Sequence, residues 1–368
     1  MTAPGTTALF DTYGFDAVRF AEQQAEVRAH GYDPAAAIIT DPIAALTPHD
    51  FVRLAEPASA AHRELSALGT QALREGKVAA VLLNGGMATR FGGVAKGAAN
   101  ALGTRSFLDL RLTQLQDAGA QAGAPVPVVL MTSFATHEAT AAHLREHARF
   151  GLREEDILYA PQGISQRLTD RGDIFVEDNG TPSFYAPGHG DLPWALARSG
   201  AAEKLKARGV TVLFVSNVDN LGCTLDPALI GAHLRGAQPM TVELCDRLAG
   251  DVGGAPARVA GRVQLVEGFR MPAAFPPQEL IGFNTNTFYF GWSALDPAIA
   301  LGFYAVAKKV SGRTAIQFER IVGELSRTVG CQLLLVPRDP EQGRFLPVKT
   351  PEDLQSLQPL LTRRFSRA

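Results

Sequence analysis

Short apolar runs alternate with longer amphipathic segments through the middle of the chain. VAAVLLN (78–84), VPVVLMT (126–132) and VTVLFVSN (210–217) are strongly apolar runs of strand length, and each is followed by a polar or glycine-bearing loop. Segments with helical spacing lie between these runs, and strands that alternate with helices predict parallel βαβ units in a three-layer α/β domain. The predicted helices are 107–119, 137–150 and 192–208.

The pattern before residue 76 is different. Residues 1–75 look helical, with predicted helices at 17–30 and 58–75 and a third that begins at Thr47-Pro48. We interpret residues 1–75 as an N-terminal helical segment that supports a larger α/β domain over residues 76–368.

Beyond residue 236 the pattern becomes mixed. Three segments of strand character predict an antiparallel addition, two segments with helical spacing follow them, and a short strand comes last. The predicted strands are 240–246, 262–267, 281–290 and 332–336, and the predicted helices are 295–308 and 314–329.

Composition narrows the class of protein without identifying a function. Hydrophobic residues make up 46% of the 368 residues, which is enough for a sizeable core. The formal net charge of -2 gives no long-range field that would attract nucleic acid or an anionic membrane, so any phosphate site has to be built locally. The three cysteines form no CxxC pair, and no apolar run is long enough to span a bilayer. We therefore expect a reduced, cytoplasmic protein.

The loop after the first apolar run, NGGMATRFGGVAKG (84–97), is rich in glycine and carries Arg90 and Lys96. Glycines let the main chain approach a ligand closely, and successive amides together with two cations can bind phosphate. The spacing matches neither a Walker A loop nor the GxGxxG motif, which argues against a nicotinamide-dependent oxidoreductase. Taken alone, the loop is either a phosphate site or a surface turn.

Three further motifs carry polar groups, and ligands of parallel sheets bind beyond the carboxyl ends of the strands. Asp219, in NVDN after the third run, is placed either to hold Mg²⁺ or to cap a turn. His189, between two glycines in PGHGD, is either a ligand contact or part of a turn. Asn284 and Asn286 are predicted on one face of a strand, where they would bind sugar hydroxyls or solvent.

Seven motifs in order resemble those of the eukaryotic-type UTP–glucose-1-phosphate uridylyltransferases. The resemblance covers roughly residues 77–355 and implies a GT-A-like, Rossmann-related mixed sheet flanked by helices, with 76–368 as a nucleotidyltransferase catalytic domain. It also implies Mg²⁺-assisted synthesis of UDP-glucose and pyrophosphate from UTP and glucose 1-phosphate. The motifs are LNGGMATRFGG with Lys96, SFLDL (106–110), VPVVLMTSFATHEAT (126–140), PGHGD (187–191), FVSNVDNLG (214–222), FNTNT (283–287) and RFLPVKT (344–350).

The same resemblance implies a role for each matching position. The loop positions Leu83, Gly85 and Gly86 would receive uridine and triphosphate, while Met131, Gln162 and Gly188 would lie against the uracil. The cations Arg90, Lys96 and Lys349 would neutralise phosphate charge. His189 would contact the sugar phosphate, Asp219 would hold Mg²⁺, and Asn217, Glu267, Asn284 and Asn286 would bind the ribose or the hexose.

Three departures from the family pattern bear on these expectations. Ala88 stands where the family loop usually has glycine. The segment of the loop that leads to Lys96 is one residue shorter than in the family pattern. Most eukaryotic members also continue into a left-handed β-helix domain that mediates assembly, whereas this chain stops soon after Lys349, so we expect no β-helix-mediated oligomer.

Other functions remain open at the level of sequence. A broad-specificity UDP-sugar pyrophosphorylase and an N-acetylhexosamine 1-phosphate uridylyltransferase are alternatives of the same class. The GHGD segment argues against the second, because that family tends to carry a GNGG-like segment there. A non-catalytic nucleotide-sugar binding protein is an alternative of a different class, although Asp219, Lys96 and Lys349 occur together here.

Overall fold

The structure is a computed structural model, and it describes residues 4–88, 93–248, 250–251, 253–339 and 342–365. None of the helices in these ranges is both long and apolar enough to cross a membrane. The α-helices of the described residues are α1 Pro4–Tyr13, α2 Ala17–His30, α3 Ala60–Arg74, α4 Phe107–Ala122, α5 His137–Glu146, α6 Leu192–Arg198, α7 Ala201–Ala207, α8 Pro227–Gly236 and α9 Pro351–Phe365.

The strands include the three apolar runs that the sequence pattern predicts, now β3, β8 and β12. The strands of the described residues are β1 Ile43–Ala44, β2 Val52–Arg53, β3 Val78–Leu83, β4 Met87–Ala88, β5 Val94–Ala95, β6 Asn100–Leu102, β7 Arg105–Ser106, β8 Val128–Met131, β9 Ile157–Tyr159, β10 Ser165–Gln166, β11 Phe184–Tyr185, β12 Val212–Asn217, β13 Met240–Cys245, β14 Ala255–Val259, β15 Arg262–Val266, β16 Phe283–Gly291, β17 Tyr304–Val310, β18 Arg313–Glu319 and β19 Cys331–Leu335.

Eight of these strands form one mixed sheet, in the order β2-β19-β13-β16-β12-β3-β8-β9. β16 is antiparallel to both of its neighbours, β12 and β13. All the other neighbours in this sheet pair in parallel, so the carboxyl ends of β12, β3 and β8 lie at the same edge. The predicted class, a mixed α/β sheet flanked by helices, is confirmed.

The sheet separates two apolar cores, which makes the domain three layers thick. Ala80 and Leu82 of β3 face one core, and their neighbours Ala79 and Val81 face the other. This alternation follows from the two-residue period of a strand, and because both faces are covered, β3 is apolar throughout. The helices α3, α4 and α8 contribute to the first core, and α6 and α7 contribute to the second.

The predicted helices at 295–308 and 314–329 are wrong. The middle of this region, residues 304–319, is the antiparallel hairpin β17–β18, whose strands are joined by Ser311 and Gly312, and Val322–Arg327 is a 3₁₀ helix. Both turn residues have positive φ, 48° and 77°, which is the conformation that a two-residue hairpin turn requires. The Ser-Gly dipeptide was the local signal for this turn, and it outweighs the helical spacing on either side.

Three smaller predictions also need correction. The helix predicted from Thr47-Pro48 is only the short 3₁₀ turn Pro48–Asp50, and β2 then joins the edge of the main sheet beside β19. The helix predicted at 192–208 is two helices, because Gly200 has a φ of 71° between them. Two of the three strands predicted to form a separate antiparallel addition, β13 and β16, belong to the main sheet.

Helix α3 of the N-terminal segment packs closely against α8 of the α/β part. A Cβ atom on Gly69 would lie 1.9 Å from the carbonyl oxygen of Pro227, and one on Gly231 would lie 2.0 Å from that of Leu65. Each glycine therefore permits the backbone of the other helix to approach. The division of the chain into an N-terminal segment and a catalytic domain at residue 75 stays a prediction. Helix α3, from the N-terminal side of this boundary, packs tightly against α8 on the other side.

We expect Gly231→Ala to lower the free energy of unfolding by about 1–3 kcal/mol, since the new methyl group forces α3 and α8 apart. Denaturant unfolding of the variant and the parent protein measures this difference. Gly291→Ala is the matched control, because the nearest atom to its Cβ would be 3.8 Å away. Equal losses in the two variants would show that the close helix contact does not limit stability.

Candidate active site

A cleft of about 790 Å³ opens at the carboxyl ends of β3, β8 and β12. The loops that follow these three strands all contribute to its walls, together with the PGHGD segment, the β17–β18 hairpin and Lys349. Ten of the residues singled out from the sequence line the cleft: Leu83, Gly85, Gly86, Lys96, Gln162, Gly188, His189, Asn217, Asp219 and Lys349.

The glycine loop is pressed against Gln162. A Cβ atom on Gly85 would lie 2.0 Å from Nε2 of Gln162, so only glycine fits there with Gln162 in this position. The Gln162 Oε1 atom accepts a hydrogen bond from the Gly188 amide at 3.0 Å. Gln162 thus links two main-chain segments that both face the cleft.

Lys96 is fixed by the turn that contains it. Asn84, the first residue after β3, accepts a hydrogen bond from the Gly97 amide through Oδ1 at 2.9 Å. A side chain at position 97 would collide with Asn84 and Leu108, so this turn also requires glycine. Lys96 is only 9% exposed, and its Nζ atom lies 5.0 Å from the centre of the Phe107 ring. Arg90 lies outside the described residues.

Asp219 and Lys349 meet across the cleft although 130 residues separate them in sequence. The Lys349 Nζ atom lies 3.0 Å from Oδ2 and 3.2 Å from Oδ1 of Asp219. Lys349 is half-exposed, whereas the Asp219 side chain is largely buried. A cation and a carboxylate are therefore already paired where the resemblance placed a metal ligand and a phosphate-binding lysine.

Main-chain and side-chain hydrogen bonds hold Lys349 in this position. The Val348 amide donates to the carbonyl oxygen of Asp219 at 3.1 Å, and the Leu346 amide donates to Oδ1 of Asn220 at 2.8 Å. In return, the Leu221 amide donates to the carbonyl oxygen of Leu346. These hydrogen bonds hold the segment 344–350 against the loop that follows β12.

A buried ionic cluster lies beneath the contact between the segment 344–350 and the loop that follows β12. The Arg344 guanidinium contacts both carboxylate oxygens of Glu243, at 2.7 and 2.9 Å, and also donates to the carbonyl oxygen of Thr224 at 2.7 Å. Tyr289 donates its hydroxyl to Glu243 at 3.1 Å, and burial raises the pKa of that hydroxyl well above its ordinary value. Arg111 donates to the carbonyl oxygens of Asn220 and Cys223 from below the loop.

His189 is held as a neutral imidazole. Its Nδ1 atom accepts a hydrogen bond from the Val322 amide at 3.1 Å, which leaves Nε2 to carry the proton. Burial is the main cause that lowers the pKa of His189 to about 4. The negative charge of Glu319 raises this pKa, and the positive charge of Lys349 lowers it. Near neutral pH, this histidine is therefore a hydrogen-bond donor without charge.

Four predicted site residues do not form the cleft wall in this structure. Met131 is 0% exposed and packs in the second core beneath the cleft. Glu267, Asn284 and Asn286 lie beyond the wall, although Asn286 donates from Nδ2 to Oδ1 of the cleft residue Asn217 at 2.9 Å. Burial and the charge of Glu324 raise the pKa of Glu267 to about 7.

The predicted alternation of Asn284 and Asn286 on one strand face is wrong. Glu243 pairs with Thr287, but its neighbour Leu244 pairs with Asn284, so a bulge interrupts β16 between them. Asn286 has a φ of 56°, a left-handed conformation that asparagine tolerates better than most residues. Its amide donates to Oδ1 of Asn284 at 2.9 Å, which directs the two side chains to different partners.

Several cleft residues were not found from the sequence. Four of them come from the β17–β18 hairpin, where the sequence predicted two helices with a short gap at residues 309–313: Lys308, Lys309, Gln317 and Glu319. Arg167 also lines the cleft, and it is positioned by Oε1 of Gln317 at 2.9 Å. The Ser311-Gly312 turn was the available signal for the hairpin.

The comparisons with known proteins agree with one another. The model of the UTP–glucose-1-phosphate uridylyltransferase family matches residues 36–363. The UTP–glucose-1-phosphate uridylyltransferase of Solanum tuberosum is 31% identical to the chain over 303 residues, covering 77% of this chain and 61% of the relative. The enzyme of that name from Saccharomyces cerevisiae is 30% identical over 297 residues, covering 76% and 58%. The chain thus spans about three fifths of the length of these relatives.

Solved structures share the fold over nearly the whole chain. A UDP-glucose phosphorylase from Trypanosoma brucei superposes with a TM-score of 0.72 at 25% identity, covering 97% of this chain and 79% of that one. A UDP-N-acetylglucosamine pyrophosphorylase from the same organism has a TM-score of 0.75 at 19% identity, covering 94% and 82%. The second likeness establishes the fold alone.

We expect His189 to stay neutral, with its proton on Nε2, from pH 8 down to about pH 5, because burial lowers its pKa to about 4. Nitrogen-15 NMR of the imidazole reads the charge and the tautomer directly. A His189→Gln variant assigns the signal. A protonated ring at pH 6, or a proton on Nδ1, would contradict the hydrogen bond from Val322.

Proposed function

The chain belongs to the UTP–glucose-1-phosphate uridylyltransferase family, and from that premise we propose that it makes UDP-glucose and pyrophosphate from UTP and glucose 1-phosphate. The observation that carries the proposal is the convergence of the glycine loop, Lys96, His189, Asp219 and Lys349 on one cleft. These groups come from distant parts of the chain, and each suits the binding of a phosphorylated ligand.

The charge of the cleft supports binding of a triphosphate. Five cationic side chains and two carboxylates line it among the described residues, while the whole chain has a formal net charge of -2. The excess of positive charge is therefore local, as an anionic substrate requires. The cations are Lys96, Arg167, Lys308, Lys309 and Lys349.

We assign the nucleotide to the side of the cleft formed by the glycine loop. Gly85 and Gly86 present main chain without side chains, and Leu83 and Gly188 border them. Lys96 and, by the family resemblance, Arg90 would neutralise the β- and γ-phosphates that leave together. Gln162 and Gly188 would face the uracil, and Met131 would support this wall from the core below.

The sugar phosphate belongs on the opposite side. His189 offers an Nε2–H donor, which can bind a phosphate or hydroxyl oxygen without a change of charge. Asn217 and Asn286 are joined by a hydrogen bond and can present one amide edge to the hexose. Asn284 and Glu267 lie behind them and would complete the hexose site.

The reaction requires no nucleophile from the protein. An oxygen of the glucose 1-phosphate attacks the α-phosphorus of UTP, the bond to the β-phosphate oxygen breaks, and pyrophosphate leaves. Catalysis then consists of holding the two substrates in line and neutralising negative charge as it develops. Lys349 is the cation best placed to act where the two substrates meet. Hydrogen bonds of the segment 344–350 fix its backbone, while its Nζ atom can exchange Asp219 for a phosphate oxygen.

Asp219 fits a role as ligand of Mg²⁺. Its carboxylate faces the cleft, and an oxygen ligand together with substrate phosphates and water is the arrangement that Mg²⁺ commonly takes. No cluster of three potential metal ligands surrounds Asp219 in the described ranges, so the phosphates would supply the remaining ligands. The bound ion would offset phosphate charge. Substrate binding would at the same time exchange the Lys349–Asp219 ion pair for a contact between Lys349 and phosphate.

The purified protein should release pyrophosphate from UTP and glucose 1-phosphate in the presence of Mg²⁺, and chelation by EDTA should abolish the release. A coupled pyrophosphate assay measures it. Galactose 1-phosphate and N-acetylglucosamine 1-phosphate, each tested with UTP and with the other nucleotides, separate the broad-specificity and N-acetylhexosamine alternatives. Nucleotide binding without turnover of any sugar phosphate would indicate a non-catalytic binding protein and contradict the proposal.

Lys349→Met should lower kcat by about 100-fold or more, because charge neutralisation at the transition state is lost, while the Kd for UTP changes far less. Steady-state kinetics and calorimetric titration of UTP separate the two effects. Lys204→Met, on the exposed side of α7, is the matched control and should retain full activity. Unchanged kcat in Lys349→Met would make Lys349 an ordinary surface lysine.

A further inference from the structure

A second cavity, of about 550 Å³, lies behind the PGHGD segment and outside the cleft. One face of α2 forms its outer wall through Asp16, Arg19, Phe20 and Gln23, which are spaced as one side of a helix. The inner wall comes from α6, the PGHGD segment and the loop that precedes β17. Nothing in the proposed reaction uses this cavity.

Two buried donors that line the cavity have no acceptor among the described residues. The Nε2 atom of Gln23 has no hydrogen-bond partner, although Gln23 is only 5% exposed. The Nε atom of Arg320 is buried and also has no partner. Because a buried polar group without a partner costs free energy, both positions favour a ligand that supplies oxygen acceptors.

The ionisable side chains of the cavity are predominantly cationic. Three arginines line it, Arg19, Arg198 and Arg320, and two aspartates accompany them. Asp191 already pairs with Arg320 at 3.3 Å, and Asp16 caps α2 by accepting from the Arg19 amide at 2.9 Å. Asp191 also lies 3.7 Å from Arg198, and Arg19 pairs at 3.3 Å with Glu22, which does not line the cavity. The three arginines and two aspartates of the lining leave one excess positive charge, which suits an anion.

Arg320 is held rigidly at the back of the cavity. Its guanidinium lies between the rings of Trp194 and Phe303, 4.0 and 4.1 Å from their centres. Its amide donates to the carbonyl oxygen of Pro187 at 2.7 Å, and its own carbonyl accepts from Gly190 at 3.1 Å. The main chain that positions His189 in the cleft is therefore bonded to the residue that closes this cavity.

We propose that the cavity between α2 and the PGHGD segment binds a small phosphate-bearing anion, through Arg19, Gln23 and Arg320. A phosphate group offers several oxygen acceptors at once, which matches both the unpartnered donors and the excess of guanidinium groups. The site is separate from the cleft and does not depend on the proposed transfer reaction.

Trp194 provides a direct reporter for this site. The chain has two tryptophans, Trp194 and Trp292, so a Trp292→Phe protein keeps only the one that lines the cavity. Titration of this protein with inorganic phosphate should give a saturable change in tryptophan emission, and chloride at equal ionic strength should give none. No saturable change, or the same change with chloride, would overturn the proposal.

Variants of α2 test which residues carry the binding. In the Trp292→Phe background, Arg19→Gln and Gln23→Leu should each raise the phosphate midpoint by about fivefold or more. Arg28→Gln is the matched control, an exposed arginine of the same helix that pairs with Asp173 and does not line the cavity. Arg19 is itself exposed, so its substitution tests binding even where Gln23→Leu perturbs folding.

Lys349→Met in the same background excludes the cleft as the source of the signal. Its midpoint should equal that of the parent, because Lys349 does not line the second cavity. A midpoint that shifts with Lys349→Met and not with the α2 variants would place the phosphate in the cleft and refute the second site.

Discussion

The ion pair between Arg344 and Glu243 joins the last part of the chain to a central strand of the sheet, and the cleft depends on it. Both side chains are buried, and a buried charge without its partner would be strongly unfavourable. Here the remaining hydrogen-bonding groups are also satisfied, by Thr224 and Tyr289. The pair therefore fixes where the segment 344–350 crosses the loop after β12.

The position of Lys349 follows from that crossing. The amides of Leu346 and Val348 donate hydrogen bonds to the loop after β12, and these bonds place Lys349 beside Asp219. The side chain of Lys349 is therefore not needed to hold the backbone in position. The lysine side chain is then free to exchange one anionic partner for another. A rigid main chain that carries an exchangeable cation suits a reaction in which phosphate charge moves.

The sequence predicted the parts of this arrangement that depend on local pattern. The apolar runs of β3 and β12 and the polar loops after them located the cleft, because parallel strands end at one edge. The bulge at Asn286 and the hairpin at Lys308 were missed, since strand alternation and helical spacing are ambiguous over short stretches. The Arg344–Glu243 pair could not be found either, because each residue alone resembles an ordinary surface charge and the two lie 101 positions apart.

We propose that Lys349 exchanges Asp219 for phosphate when substrate binds in this cleft. A crystal structure of the protein with UDP-glucose and Mg²⁺ tests it most directly. We expect the diphosphate to lie between the glycine loop and Lys349, with Nζ in hydrogen-bond contact with a phosphate oxygen and the Asp219 carboxylate turned to the metal. A nucleotide sugar bound elsewhere, or bound here with the Lys349–Asp219 pair intact, would contradict it.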